Sequence, residues 1–173
     1  MSTTSTTGHR ALPGEHLCFR LSGDAFAVPI AQVLEVLALP KTTPVPAAAA
    51  FIKGVFPLRG VIVPLVDLCN RLRLPAAKGG REACALVVRA QRSSGELQIA
   101  LQIDEILDVA DFAAAALAPA PDMGSRVASD LLLGLHRAVD DSLTFILDLE
   151  RILSPSELED AAGMVGGSGG SAG

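Results

Sequence analysis

The chain has no tryptophan and no tyrosine, and six phenylalanines are its whole aromatic complement. Proteins that hold single-stranded nucleic acid stack its bases on such rings, so that platform is missing. With 14 basic against 19 acidic side chains, a formal net charge of −5 and no block of five like charges, a polyanion finds no electrostatic footprint. No nucleic-acid partner is expected. No apolar run approaches the ~20 residues of a membrane span, because Pro, Arg, Asp or Gly cuts each aliphatic stretch, so direct membrane insertion is not expected either. Cysteine is scarce: Cys18, Cys69 and Cys84 are odd in number and scattered among apolar neighbours, which suits buried thiols in a reducing compartment. Residues 1–14 are polar and Ser/Thr-rich and lack the apolar stretch of a secretory signal. A cytoplasmic protein is expected.

What is abundant is aliphatic residue in short runs. Half of the 173 residues are hydrophobic, enough for one domain or two small subdomains. A domain of about 140–150 residues buries about 68–70% of the surface of its unfolded chain and needs no disulfide or metal staple. Three stretches carry little core: residues 1–14, expected to be a mobile arm, the Pro75 to Arg81 connection, and a Gly/Ser tail over 159–173. Residues 15–158 then form the folded part.

Within it, period two dominates. Leu17, Phe19 and Leu21, the turn Ser22-Gly23-Asp24, and Phe26, Val28 and Ile30 read as a hairpin. From Ile30 the apolar spacing through Val33, Leu34 and Leu37 predicts a short helix or a bent crossover ending at Pro40. Ala47 to Ala50 is expected to add a helical turn. Leu68 and Leu72, four apart, predict one or two turns of helix over Asp67 to Leu74. Cys84 to Ala90 and Leu97 to Ile103, around Ser93-Ser94-Gly95, predict a second hairpin, with Ile106 to Val109 continuing past a bulge. Ala113 to Pro121 reads as loop. Leu131 to Ala138 and Leu143 to Leu149 read as strands joined at Asp140-Asp141, followed by a helical turn over Glu150 to Leu153. Ser154-Pro155-Ser156-Glu157 carries the cap, first-turn proline and third-position glutamate of a further short helix. Many short strands without a strand-helix-strand rhythm make the fold class all-β, of small barrels, with short helices.

Catalytic chemistry finds no constellation. Gly166-Gly167-Ser168-Gly169-Gly170 matches a nucleophile-elbow pattern in letters only, because a Gly/Ser tail supplies neither the strand before the serine nor the helix after it. His9, His16 and His136 stand singly, without a second ligand at metal spacing. The acidic groups Asp104, Glu105, Asp108 and Asp111, and Asp140-Asp141, lack the order of a Ca²⁺ loop and read as solvated turns. Paired carboxylates of glycosidase type lack a sugar-stacking platform. No phosphate-binding glycine loop is present. No catalytic residue, cofactor or metal is expected.

One segment stands out. Residues 51 to 68 form two apolar runs of strand character around Leu58-Arg59-Gly60-Val61, and Gly60 takes φ > 0 at little cost. Arg59 is therefore expected at a strand reversal, displayed, where a guanidinium suits recognition of a carboxylate.

Phe51, Ile52, Gly54, Val55, Leu58, Arg59, Gly60, Ile62, Val63, Pro64, Asp67 and Leu68 closely resemble the hallmark of the CheW family of bacterial chemosensory adaptors. Phe26 to Ile30 through Val33-Leu34-Glu35-Val36 resembles the family's first hairpin and next segment. Ile103 to Val109, Leu133-Gly134-Leu135 and Thr144 to Leu153 resemble its second half, so the likeness spans residues 15 to 158. It implies two intertwined five-stranded SH3-like barrels around a hydrophobic seam, without catalysis. It implies as partners the cytoplasmic tip of a methyl-accepting chemoreceptor and the regulatory domain of a CheA-type histidine kinase, bridged at membrane-associated receptor arrays. By the same likeness Val33, Glu35 and Val36 fall on the receptor-facing segment, with Arg59 beside it. We expect a Glu35–Arg59 ion pair to shape that groove. Gly54 and Gly60 are expected to serve backbone geometry, and Asp67 to cap the turn that follows. Pro57 departs from the family's asparagine, which opens an alternative: an adaptor of a divergent or non-flagellar pathway, such as twitching motility, or a competitor adaptor. A small β-barrel hydrolase and a purely structural assembly protein are the remote alternatives.

Overall fold

In the computed structural model, which describes residues 11–75, 83–92, 95–120 and 129–152, eleven strands build two sheets. The first hairpin is β1 (Gly14–Leu21) and β2 (Asp24–Pro29), turned by Ser22 and Gly23, both at positive φ, the two-residue reversal that suits twisted strands. A 3-10 turn over Ile30–Gln32 leads into β3 (Val33–Ala38). Next come β4 (Ile52–Leu58), β5 (Val61–Asp67) and the one-turn helix α1 (Leu68–Arg71). The second half repeats this plan with β6 (Cys84–Arg92), β7 (Gly95–Ile103), β8 (Glu105–Phe112), the two-residue β9 (Leu117–Ala118), β10 (Leu132–Arg137), β11 (Leu143–Leu147) and α2 (Leu149–Ile152).

Strand order shows how the halves interlock. One sheet runs β8-β1-β2-β11-β10-β9 and the other β3-β6-β7-β5-β4. Each half lends its opening hairpin to the barrel that the other half completes, through the parallel pairs β2 with β11 and β5 with β7. The expected pair of intertwined five-stranded barrels is present, with β9 as a sixth strand on the first sheet.

The central strands β1, β2, β6 and β7 bury residues on both faces, and on them side-chain size divides by face. Phe19, Leu21, Phe26, Leu86, Ile99, Leu101 and Ile103 pack in one central cluster between the sheets. The alternate positions point into the barrels: Cys18 and Ala27 into the first, and Ala85, Val87 and Ala100 into the second. Small residues at these positions leave room in each barrel for larger ones from the other strands, Phe112 and Ile146 in the first and Phe56 and Leu65 in the second. At about 25 cal/mol per Å² of apolar surface removed from water, the seam is the main source of stability.

Two expectations are corrected. Residues 33–38, expected as a short helix or a bent crossover, form a strand, and a bulge after Val33 shifts the register of β3 on β6. One extra residue turns period two into the spacing of three that reads as helical. Ala47 to Ala50 is not a helical turn: Ala47 has φ 60°, and separate four-residue turns close through Ala48 N–H to Val45 O and Ile52 N–H to Ala49 O. The Ala113 to Pro121 stretch contains β9 and a 3-10 turn over Ala114–Ala116 as well as loop. The predicted helix at Ser154 to Leu158, the Ser93-Ser94 turn and most of the Pro75 to Arg81 connection lie outside the described residues.

The internal repeat reaches single residues. Val33-Leu34-Glu35-Val36 and Ile106-Leu107-Asp108-Val109 occupy matching places in β3 and β8, and both strands bulge at the leucine. Asp67 and Asp148 likewise precede α1 and α2, accepting from the N–H groups of Asn70 at 3.2 Å and Glu150 at 3.1 Å. The expectation that Asp67 caps the turn is met.

Candidate docking face

Arg59 and Gly60 form the β4–β5 reversal with φ 49° and 79°. Glycine adopts that conformation freely, but arginine holds it at a cost of roughly 1–2 kcal/mol. The tight two-residue reversal pushes the Arg59 side chain outward, where it is 78% exposed. It reaches β3. Nη1 lies 2.9 Å from Glu35 Oε1, and Nη2 donates to Oε2 at 3.2 Å, so fork meets carboxylate with two parallel contacts. Because β3 and β4 are the two edges of the second sheet, this pair spans the seam at which that barrel closes.

The four residues singled out from the sequence are thereby divided. Glu35 and Arg59 come together. Val36, next to Glu35, is 46% exposed, as suits a contact residue. Val33 packs partly against the central cluster and is as much wall as surface. Leu34, Leu39, Val61 and Ile62 are also exposed, flanking the ion pair as aliphatic surface rimmed by charge. Of these, Leu34 lies in the stretch whose apolar spacing reads as helical, which hides its outward turn on β3. Val61 and Ile62 stand directly after the Arg59-Gly60 reversal, and that position is their signal.

Pro57 is accommodated. It stands exposed on the edge strand β4, opposite Ile62 in a register unbroken from Gly54 to Leu58. At an edge the missing N–H is tolerated. Gly54 serves geometry as expected: with φ 151°, a Cβ there would lie 2.5 Å from the carbonyl oxygen of Thr43, whose backbone bridges to Val55.

The matching place on the first barrel is built differently. Asp108 stands where Glu35 does, but its cross-strand neighbour is Cys18. Burial first, and then the charge and hydrogen bonding of Asp108, push the Cys18 thiol up to about 11. The β10–β11 turn satisfies its own charges: Arg137 grips Asp141 at 2.7 Å, and Asp140 accepts from the Ser142 hydroxyl at 2.6 Å and its N–H at 3.1 Å, which lowers its pKa. Among the described residues, only the second barrel therefore carries a cation from its hairpin tip to the opposite edge. Among the described residues no group of three His, Cys, Asp or Glu side chains is placed to hold a metal ion, and no helix is long and apolar enough to cross a membrane.

Two interlocked barrels with an exposed aliphatic strip around a preorganised ion pair define a protein-docking scaffold. The model of the CheW-like domain matches residues 15–157. Chemotaxis protein CheW of Klebsiella aerogenes is 29% identical over 158 residues, covering 91% of this chain and 92% of that protein. Protein FrzA of Myxococcus xanthus is 32% identical over 124 residues, covering 72% and 74%. The crystal structure of the scaffolding protein TtCheW from Thermoanaerobacter tengcongensis superimposes with a TM-score of 0.73 at 21% identity, covering 87% of this chain and 94% of that one. The chain belongs to the CheW-like family, and it is a non-enzymatic adaptor of bacterial chemosensory signalling that couples chemoreceptors to a CheA histidine kinase.

Proposed function

We propose that the second-barrel face made by Glu35, Arg59, Val36 and the half-buried Val33 grips the cytoplasmic tip of a methyl-accepting chemoreceptor, and that the protein also binds the regulatory domain of the kinase, working in the cytoplasm at receptor arrays. The observation that carries this reading is the bidentate Glu35–Arg59 pair held between two sheet edges beside exposed aliphatic side chains. A strained backbone position retained for an arginine that adds little to stability is explained by a role in recognition. Residues 15–158 serve as the adaptor domain, between an N-terminal arm over 1–14 and a Gly/Ser-rich tail over 159–173.

Calorimetric titration of the purified protein against a receptor cytoplasmic fragment, and separately against the kinase regulatory domain, tests the reading. Saturable binding to both supports it. No heat from either at high micromolar concentration contradicts it. A second reading, an adaptor of a divergent, non-flagellar pathway, is favoured by the likeness to FrzA. Receptor and kinase genes beside this one, and their type, separate the two.

A further inference from the structure

The two barrels close their open seams by different chemistry. In the second, the closing contact is the Glu35–Arg59 ion pair. In the first, β8 ends one side of the sheet and β10 with β9 the other, and the contact between them is a stack of rings. Phe112 of β8 is sandwiched: His136 of β10 lies on one side at 3.9 Å between centroids and 9° between planes, and His16 of β1 at 4.6 Å and 21°.

His16 is 2% exposed, and its Nδ1 lies 2.8 Å from the carbonyl oxygen of Gly14. A carbonyl only accepts, so Nδ1 carries the hydrogen and Nε2 is a bare lone pair, buried without a partner. His136 is the more accessible imidazole of the stack, and protonating it places a cation across one ring from His16. Burial first, and then the charge of His16, lower the pKa of His136.

The surrounding charges do not reverse this direction. On β1 and β8, Glu15 and Asp111 stand opposite each other near the strand ends. From α2, Asp148 and Glu150 line with His16 a groove of about 620 Å³, but Asp148 already faces Arg151 at 3.5 Å and accepts from Glu150 N–H. On β10, Arg137 is held by Asp141, while β9 and β11 oppose His136 with the uncharged Leu117 and Thr144.

We propose that the His16–Phe112–His136 stack is a proton-sensitive closure of the first barrel, shut while the His136 imidazole is neutral and loosened when that ring takes up a proton. The second barrel, whose closing pair holds no imidazole, keeps its seam over the same pH range. Because the unfolded chain takes up the His136 proton more readily than the closed barrel does, closure weakens as pH falls through about 6.5.

Amide hydrogen exchange of the full chain near pH 7.5 and near pH 5.5, corrected for intrinsic rates, reads the seam directly. On acidification, protection around Phe112, β9 and β10 is expected to fall, by up to about the tenfold that one proton can supply a unit below pH 6.5, while β6 and β7 change by less than about twofold. His136→Phe keeps a stacking ring without a titrating group, and its seam is expected to lose the pH response. His136→Gln, never charged, is the second variant should the first fail to fold. Seam protection that ignores pH in the wild type, a response that survives both substitutions, or loss spread evenly over both barrels overturns the proposal.

Discussion

Arg59 sits 24 residues beyond Glu35 and meets it with two contacts of 2.9 and 3.2 Å, from a backbone conformation that arginine holds at a cost. The pair is partly solvated, Glu35 being 20% and Arg59 78% exposed, so it contributes only about 0–1 kcal/mol to folding. Stability and recognition therefore separate at this residue. Arg59→Asn gives the reversal the Asn-Gly sequence it prefers, and the urea midpoint is expected to stay level or rise by the equivalent of about 0.5–1 kcal/mol. Receptor affinity is expected to drop. A marked loss of stability in this variant would contradict that separation.

Gly134 has an ordinary φ but no room. A Cβ there would lie 2.6 Å from the carbonyl oxygen of Ala118 and 3.2 Å from Ala11 Cβ. Gly134→Ala is expected to push β9 off β10 and cost about 1–3 kcal/mol in chemical denaturation. Gly54→Ala adds positive-φ strain to its clash with Thr43 and is expected to cost at least as much.

Phe26 is wholly buried and packs in the seam against Phe19 and Phe145, with centroids 6.1 and 5.5 Å away. Its truncation to alanine empties space that both barrels share. A loss of about 3–5 kcal/mol is expected, with both barrels unfolding in one transition by near-UV and amide probes.

Cys18 gives a pH test. Its folded pKa of about 11 lies above the reference value of 9.0 for an unburied thiol, so the unfolded chain loses the proton first. The stabilisation is whole below pH 9 and declines as pH rises from there towards 11. Urea midpoints measured across that window are expected to fall in the wild type and to fall less in Cys18→Ala. Alkylation of native Cys18 at pH 8 is expected to be slow and to become fast in urea.

The sequence shows most where one physical signal acts alone. Leu17 to Val28 alternates cleanly and forms the hairpin it predicts, Ile30 falling in the 3-10 turn beyond it, and Leu58-Arg59-Gly60-Val61 carries its turn chemistry in four residues. The Glu35–Arg59 pair was legible once the family likeness put both residues near one groove. Residues 33–38 misled because a bulge imitates helical spacing, and a bulge is fixed by pairing with β6, a strand about fifty positions away. The two-residue β9 depends on an opening at Gly134 in β10. The His16–Phe112–His136 stack joins three strands by closure of the barrel, which single histidines far apart in sequence do not announce.

The central claim is that Glu35 and Arg59 act as one unit in gripping the receptor. A double-mutant cycle with Glu35→Ala, Arg59→Ala and both, read as affinity for a receptor cytoplasmic fragment at low and high salt, tests it most directly. We expect each single change to weaken binding, the double change to add little beyond either, and the coupling to shrink with salt. Fully additive effects, or affinities indifferent to both substitutions, would contradict the account.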